Sequence, residues 1–153
     1  MPSLRVAPDL DMIYLVDDYT DPWTQPDTVL MLHGLAESSA AWYAWVPHLA
    51  RHFRIVRPDM RGFGDSTAMP ADHAWSLDTI VDDFMSLMDA LGIERFHVIA
   101  AKIGGTVARR LASRFPDRVI TLTVAGTPAL YRDTVAARAE AWAWNAALRL
   151  PRP

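Results

Sequence analysis

Short apolar runs alternate along the chain with longer stretches of helical periodicity. The runs at 4–7 and 11–16 are β-type segments separated by Ala-Pro-Asp, and they predict an antiparallel hairpin. The run at 28–33 is apolar without alternation, which is typical of a strand buried on both faces of a parallel sheet. Further strands are predicted at 53–57, 96–100 and 119–124.

Helical periodicity fills the intervals between these runs. The clearest stripe runs from Leu77 to Leu91, where Ser76 can cap the helix and Gly92 can end it. A second helix is predicted from Ser38 or Ser39, and Pro47 must kink it or start a new turn. Its expected inward positions are Trp42, Trp45, Val46 and Leu49. A third is predicted over 103–115, with Ile103, Val107, Leu111 and Phe115 inward, and a fourth over 133–149.

This order of elements predicts the α/β class. Strands that alternate with helices of ten or more residues imply crossover connections and a parallel sheet. We therefore expect a mostly parallel sheet with an N-terminal antiparallel hairpin and flanking helices. In such a sheet, ligands bind outside the carboxyl ends of the strands.

Composition narrows the function classes. The 153 residues are 51% hydrophobic and carry a net charge of −3, which disfavours a nucleic-acid-binding protein. The arginines at 109, 110 and 114 are interpreted as one polar helix face. The absence of cysteine excludes disulfides and thiolate nucleophiles. No apolar run approaches the ~18 residues of a membrane span, and no secretory signal is visible, so we expect a cytoplasmic protein that binds no membrane.

Neither a metal nor a cofactor is expected. The five histidines are scattered, and His48 and His52 lack the intervening glutamate of a zinc-protease motif. Gly62 and Gly64 follow a predicted strand, but no helix opens there with dinucleotide-binding spacing.

Three loops leave the carboxyl ends of predicted strands, at 33–37 (His-Gly-Leu-Ala-Glu), 59–66 (Asp-Met-Arg-Gly-Phe-Gly-Asp-Ser) and 100–105 (Ala-Ala-Lys-Ile-Gly-Gly). In their order and spacing these loops resemble the N-terminal half of an α/β-hydrolase. The resemblance covers about residues 4–128 and implies an α/β-hydrolase-type core over 1–128, with the start of a helical cap over 129–153.

The third loop resembles that family's nucleophile elbow, small-x-nucleophile-x-Gly. Ala100 and Gly104 supply the small residues, but Lys102 stands at the nucleophile's position. The helix dipole and desolvation under a cap are expected to lower the pKa of this lysine toward a neutral amine that could attack a carbonyl. Alternatively, a charged Lys102 could stabilise an enolate or anchor a carboxylate, or could mark a vestigial or engineered site.

The resemblance also assigns the other site residues. The backbone N–H groups of Leu35 and Ile103 would hold a developing oxyanion. The substrate pocket would be lined by His33, Gly34, Glu37 and Ala101. Of these, His33 is interpreted as a structural residue that orients its loop, and Glu37 as a loop acid in preference to a pocket carboxylate.

The predicted function is that of an enzyme acting on a small carbonyl substrate (an ester, lactone or similar compound), with Lys102 replacing the usual serine. Alternatives are a lyase that cleaves C–C bonds through a Lys102 imine, and a non-catalytic binder of small molecules. The family's acid and histidine come later in the chain, and the sheet looks incomplete. A second chain could supply the C-terminal half, although a truncated chain is the simpler explanation.

Overall fold

The structure, a computed structural model, describes residues 1–127 and contains six strands and three α-helices in that part of the chain. The strands are β1 (Ser3–Ala7), β2 (Leu10–Asp17), β3 (Thr28–Leu32), β4 (Arg54–Pro58), β5 (Phe96–Ala101) and β6 (Val119–Ala125). The helices are α1 (Val46–Leu49), α2 (Leu77–Ala90) and α3 (Ile103–Arg114), and a 3₁₀ turn spans Ser39–Trp42. The predicted helix over 133–149 and the cap over 129–153 lie outside the described residues.

The strands form one mixed sheet in the order β1-β2-β4-β3-β5-β6. Strands β1 and β2 pair antiparallel, as do β2 and β4, whereas β4, β3, β5 and β6 run parallel. The predicted fold class and the N-terminal hairpin are therefore confirmed. The register pairs Leu32 with Ala100, so the loops that follow β3 and β5 leave the sheet side by side.

Apolar residues cover both faces of the central strand β3, as its unbroken apolar run predicts. Leu30 and Leu32 belong to a core shared with α2 and α3, while Val29 and Met31 belong to a second core on the opposite face. Period-two alternation of side chains along a strand produces this division. Because β3 is held from both sides, the loop that follows it starts from a rigid position.

The stretch after residue 38 differs from its prediction. Pro47 lies in the first turn of α1, so the chain makes a 3₁₀ turn and then starts a new helix. The helical period does not continue across that break, and Trp45 is 47% exposed where an inward side chain is predicted. The inward placement of Ile103 is also wrong, because this first residue of α3 is 39% exposed at the open edge of the sheet.

The two ends of α2 lie where the sequence predicts them. The Ser76 side chain accepts a hydrogen bond from the Thr79 N–H at 3.4 Å, and Gly92, just after α2, has a φ of 68°. Within residues 1–127, no helix has both the length and the apolarity needed to cross a membrane.

Candidate active site

The backbone turns sharply between β5 and α3, at Lys102. Its φ of 54° and ψ of −126° lie in a region that side-chain-bearing residues rarely adopt, and its N–H donates to the Ala125 carbonyl at 3.0 Å. A Cβ on Gly104 would lie 2.6 Å from the Leu32 carbonyl oxygen, so the first turn of α3 packs directly on the end of β3. The small-x-Lys-x-Gly sequence therefore forms a strained strand-to-helix elbow.

Backbone strain is concentrated in the two loops that follow β3 and β5. Among residues 1–127, the two non-glycine residues with positive φ are Ala36, at 56°, and Lys102, at 54°. They come from different loops, yet both loops leave the same edge of the sheet. Such conformations persist where the surrounding structure enforces them, and they cluster at functional sites.

The Lys102 side chain extends over the loop that follows β3. A Cβ on Gly34 would lie 2.7 Å from Lys102 Cδ, so only glycine allows this close approach. The Lys102 ammonium donates to Glu37 Oε1, and Glu37 Oε2 accepts from the Gly34 N–H at 2.8 Å. Lysine, glutamate and backbone amide thus form a closed network across the two loops.

Charge pairing dominates the electrostatics of this network. The hydrogen bond from Lys102 lowers the pKa of Glu37, with a smaller effect in the same direction from the Gly34 N–H. The Lys102 side chain is 60% exposed, so the desolvation expected at this position is not found within the described residues. The elbow therefore presents a solvent-accessible ion pair between Lys102 and Glu37.

His33 has the structural role that its sequence position predicts. The ring is buried, and its Nε2 accepts from the Met60 N–H at 2.9 Å. Its proton is therefore on Nδ1, which donates to the Gly34 carbonyl at 2.8 Å. Burial lowers the pKa of His33, so the ring is held neutral.

These bonds set the orientation of the next peptide. In a trans peptide the C=O and N–H point in opposite directions. Since the Gly34 carbonyl points at His33, the Leu35 N–H points away from the histidine ring. His33 therefore positions the amide that the resemblance assigns to oxyanion binding.

The remaining predicted site residues lie at the same edge. Leu35 is 67% exposed, and Ile103 begins α3, so its N–H has no carbonyl four residues back within the helix. Ala101 is half-buried at the end of β5, next to the elbow. The catalytic and pocket roles of these residues stay predictions.

The loop after β4 is held in place by the buried side chains of Asp59 and Arg61. Asp59 accepts from the Ser39 N–H at 2.6 Å and from the Asp65 N–H at 2.9 Å, so it links the two ends of the turn to each other and to the segment at residue 39. Arg61 does not bond the turn. It is buried, with two bonds to Asp83 of α2 at 2.6 and 2.8 Å and one to Asp9 at 3.0 Å, and these carboxylates raise its pKa.

Sequence reasoning missed the pairing of Glu37 with Lys102, having favoured a loop acid. The available signal was topological: an acid and the chain's only lysine follow strands that lie side by side. Two cavities of about 500 Å³ lie elsewhere, one beside Arg118 and one between Tyr19 and Tyr43. Among the described residues, no group of three or more acids and histidines could hold a metal ion.

Comparison with known proteins decides the family. A family model described as the alpha/beta hydrolase fold matches residues 27–148. The chain belongs to the α/β-hydrolase family. A 2-hydroxymuconate semialdehyde hydrolase from Pseudomonas sp. strain CF600 is 34% identical over 120 residues, which are 76% of this chain and 42% of that protein.

Solved α/β-hydrolase structures agree with the fold. A hydrolase from Pseudomonas aeruginosa superposes with a TM-score of 0.77 at 28% identity, covering 97% of this chain and 53% of that one. An epoxide hydrolase mutant from Vigna radiata gives a TM-score of 0.77 at 30% identity, covering 90% and 43%. The chain thus spans about half the length of these proteins.

Proposed function

We propose that the protein carrying this chain is an α/β-hydrolase-fold enzyme that acts on a small carbonyl substrate, an ester or lactone, with Lys102 at the nucleophile's place. The observation that carries the proposal is the positive-φ elbow at Lys102, which faces the His-Gly loop. Related proteins named as hydrolases support the same class.

In this proposal Lys102 acts through its charge. Attack on a carbonyl and imine formation both use the lone pair of an amine, whereas the Lys102 side chain is engaged in an ion pair with Glu37. A fixed positive charge beside the amides of Leu35 and Ile103 would stabilise the negative oxygen that develops on a carbonyl under attack. The last histidine of this sequence is His97, so the attacking group and the family's acid and histidine are assigned to further polypeptide or to a second chain.

The exposed strand β6 supports the presence of further strands. Within residues 1–127, β6 pairs with β5 alone and lies at the end of the sheet order, and Leu122 at its centre is exposed. An unpaired edge of this kind is a template for another strand.

Native mass spectrometry of the purified protein tests whether further strands complete the sheet. We expect a longer polypeptide or a complex with a second chain. A folded, monomeric 17.1 kDa species would contradict it.

The second candidate is a non-catalytic binder of small molecules. It is favoured by the neutralisation of Lys102 by Glu37 and by the lack of a hydroxyl, thiol or carboxylate at the elbow position itself. Micromolar binding of carbonyl compounds without turnover of any ester or lactone would support this candidate.

Hydrolysis assays on Lys102 variants test the enzyme proposal. With p-nitrophenyl acetate and a γ-lactone as substrates, we expect Lys102→Ala to lower kcat about 10²-fold, as loss of one oxyanion-stabilising group does. Asp11→Asn removes a carboxylate from an exposed ion pair with Arg5 on the hairpin and serves as the matched control. Unchanged turnover in Lys102→Ala, or higher turnover in Lys102→Ser, would contradict a role for the lysine.

Borohydride trapping separates the electrostatic role from imine chemistry. With a carbonyl substrate present, we expect no reduced adduct at Lys102, because in the electrostatic role the lysine forms no bond to the substrate. An adduct on that residue would instead assign the protein to the lyase alternative.

A further inference from the structure

Glu37 places a carboxylate between two donors that stabilise negative charge. One carboxylate oxygen contacts the Lys102 ammonium and the other accepts from the Gly34 N–H. Lys102 is also the N-cap residue of the twelve-residue helix α3. A carboxylate with one oxygen on each donor is therefore already bound at the elbow.

We propose that Glu37 is an internal stand-in for the carboxylate of a ligand, and that a small organic acid binds by replacing Glu37 between Lys102 and Gly34. This inference rests on the proposed function, because it takes the elbow as the binding site. It adds that the ligand carries a negative charge. It requires no chemistry at Lys102, only exchange of one carboxylate for another.

The surroundings of the pair allow this exchange. The Lys102 side chain is 60% exposed, so an acid can reach the ammonium from solvent. An exposed ion pair contributes little free energy and is readily replaced. Beside it, Leu35 and Ile103 expose apolar surface, which suits a ligand with an aliphatic chain. The site thus matches an acid with a hydrocarbon tail better than a bare inorganic anion.

Because Lys102 is the only lysine in the sequence, amine labelling reports on this site directly. Reductive methylation with formaldehyde and cyanoborohydride is followed by mass spectrometry of the peptide that contains Lys102. Hexanoate is the probe, and hexanamide, of the same size but uncharged, is the control. We expect hexanoate to slow methylation of Lys102 in a saturable manner and hexanamide to leave the rate unchanged.

Glu37→Gln tests the stand-in itself. The variant removes the competing charge while its amide oxygen can still accept from Gly34. We expect the hexanoate concentration for half-maximal protection to fall about two- to fivefold, the energy range of an exposed ion pair converted to a binding constant. The matched control Asp11→Asn, in an exposed pair away from the elbow, should leave that concentration unchanged.

Each outcome decides the proposal. Equal protection by hexanoate and hexanamide, protection by neither, or weaker protection in Glu37→Gln would overturn it. If Glu37→Gln fails to fold, the comparison of the two compounds on the wild-type protein still decides. The test needs no turnover, so loss of the hydrolase assignment leaves it intact. Hydrolysis of neutral esters without hexanoate protection would overturn this inference alone.

Discussion

At the scale of single residues, the candidate site is a strained strand-to-helix elbow. The elbow combines a positive φ, small neighbouring residues and contact with the His-Gly loop. Lys102 stands at its centre and pairs with Glu37. The motif spacing predicts a sharp strand-to-helix turn at Lys102, and the structure has the turn there. The spacing could not predict the pairing with Glu37, because pairing across loops depends on side-chain conformation.

His33 gives a pH dependence at this scale. Its folded-state pKa lies below the usual 6.5, so the unfolded chain binds its proton first as the pH falls. We expect His33 to contribute stability that is complete above pH 6.5 and declines as the pH falls below that value, by up to about 1.4 kcal/mol per pH unit. The measurement is the difference in unfolding free energy between wild type and His33→Gln from pH 8 to 5. A difference independent of pH would contradict this assignment.

At the scale of elements, the site depends on how closely α3 approaches β3. Periodicity predicted both elements to within one residue or two, since their apolar positions and stop signals are clear. It could not predict the contact between them, because that contact depends on the absence of a side chain at Gly104. Periodicity also predicted an inward Ile103, because a helical stripe does not reveal that the first turn of α3 lies at the open edge of the sheet.

Glycine substitutions measure this approach. In Gly104→Ala the new methyl would meet the immobile backbone of β3, and we expect a loss of about 3 kcal/mol of stability. In the control Gly92→Ala, with a φ of 68° and open space around it, conformational strain alone should cost about 1 kcal/mol. Thermal unfolding compares the two variants, and equal losses would show that packing at the elbow is not tight.

The buried Arg61 joins the loop after β4 to α2. Asp83→Ala leaves this arginine with Asp9 as its remaining carboxylate partner, and we expect a loss of about 3 kcal/mol. Chemical denaturation measures the change, and Asp11→Asn, in an exposed pair, should leave the midpoint nearly unchanged. Similar midpoints for the two variants would contradict the structural role assigned to Arg61.

At the scale of the whole molecule, the order of strands and helices was sufficient to predict the α/β class, and the three loops at the carboxyl ends of the strands predicted the family. The reason is physical: alternating short buried strands and amphipathic helices admit few arrangements, and the ligand edge of a parallel sheet follows from its direction. Activity is different, because it depends on side-chain chemistry at the site, which the order of elements does not determine. In the proposed function, the elbow and the His-Gly loop supply part of the site, and the attacking group comes from elsewhere.

The most direct test of the central claim is a zero-length cross-link. A carbodiimide joins an amine to a carboxylate in contact, with loss of one water and no spacer, and Lys102 is the only lysine to react. After trypsin digestion, we predict a linked pair of peptides, 6–51 with 96–109, through Glu37 and Lys102, and its loss in Glu37→Gln. A Lys102 that couples to a different carboxylate, or to none, would contradict the account.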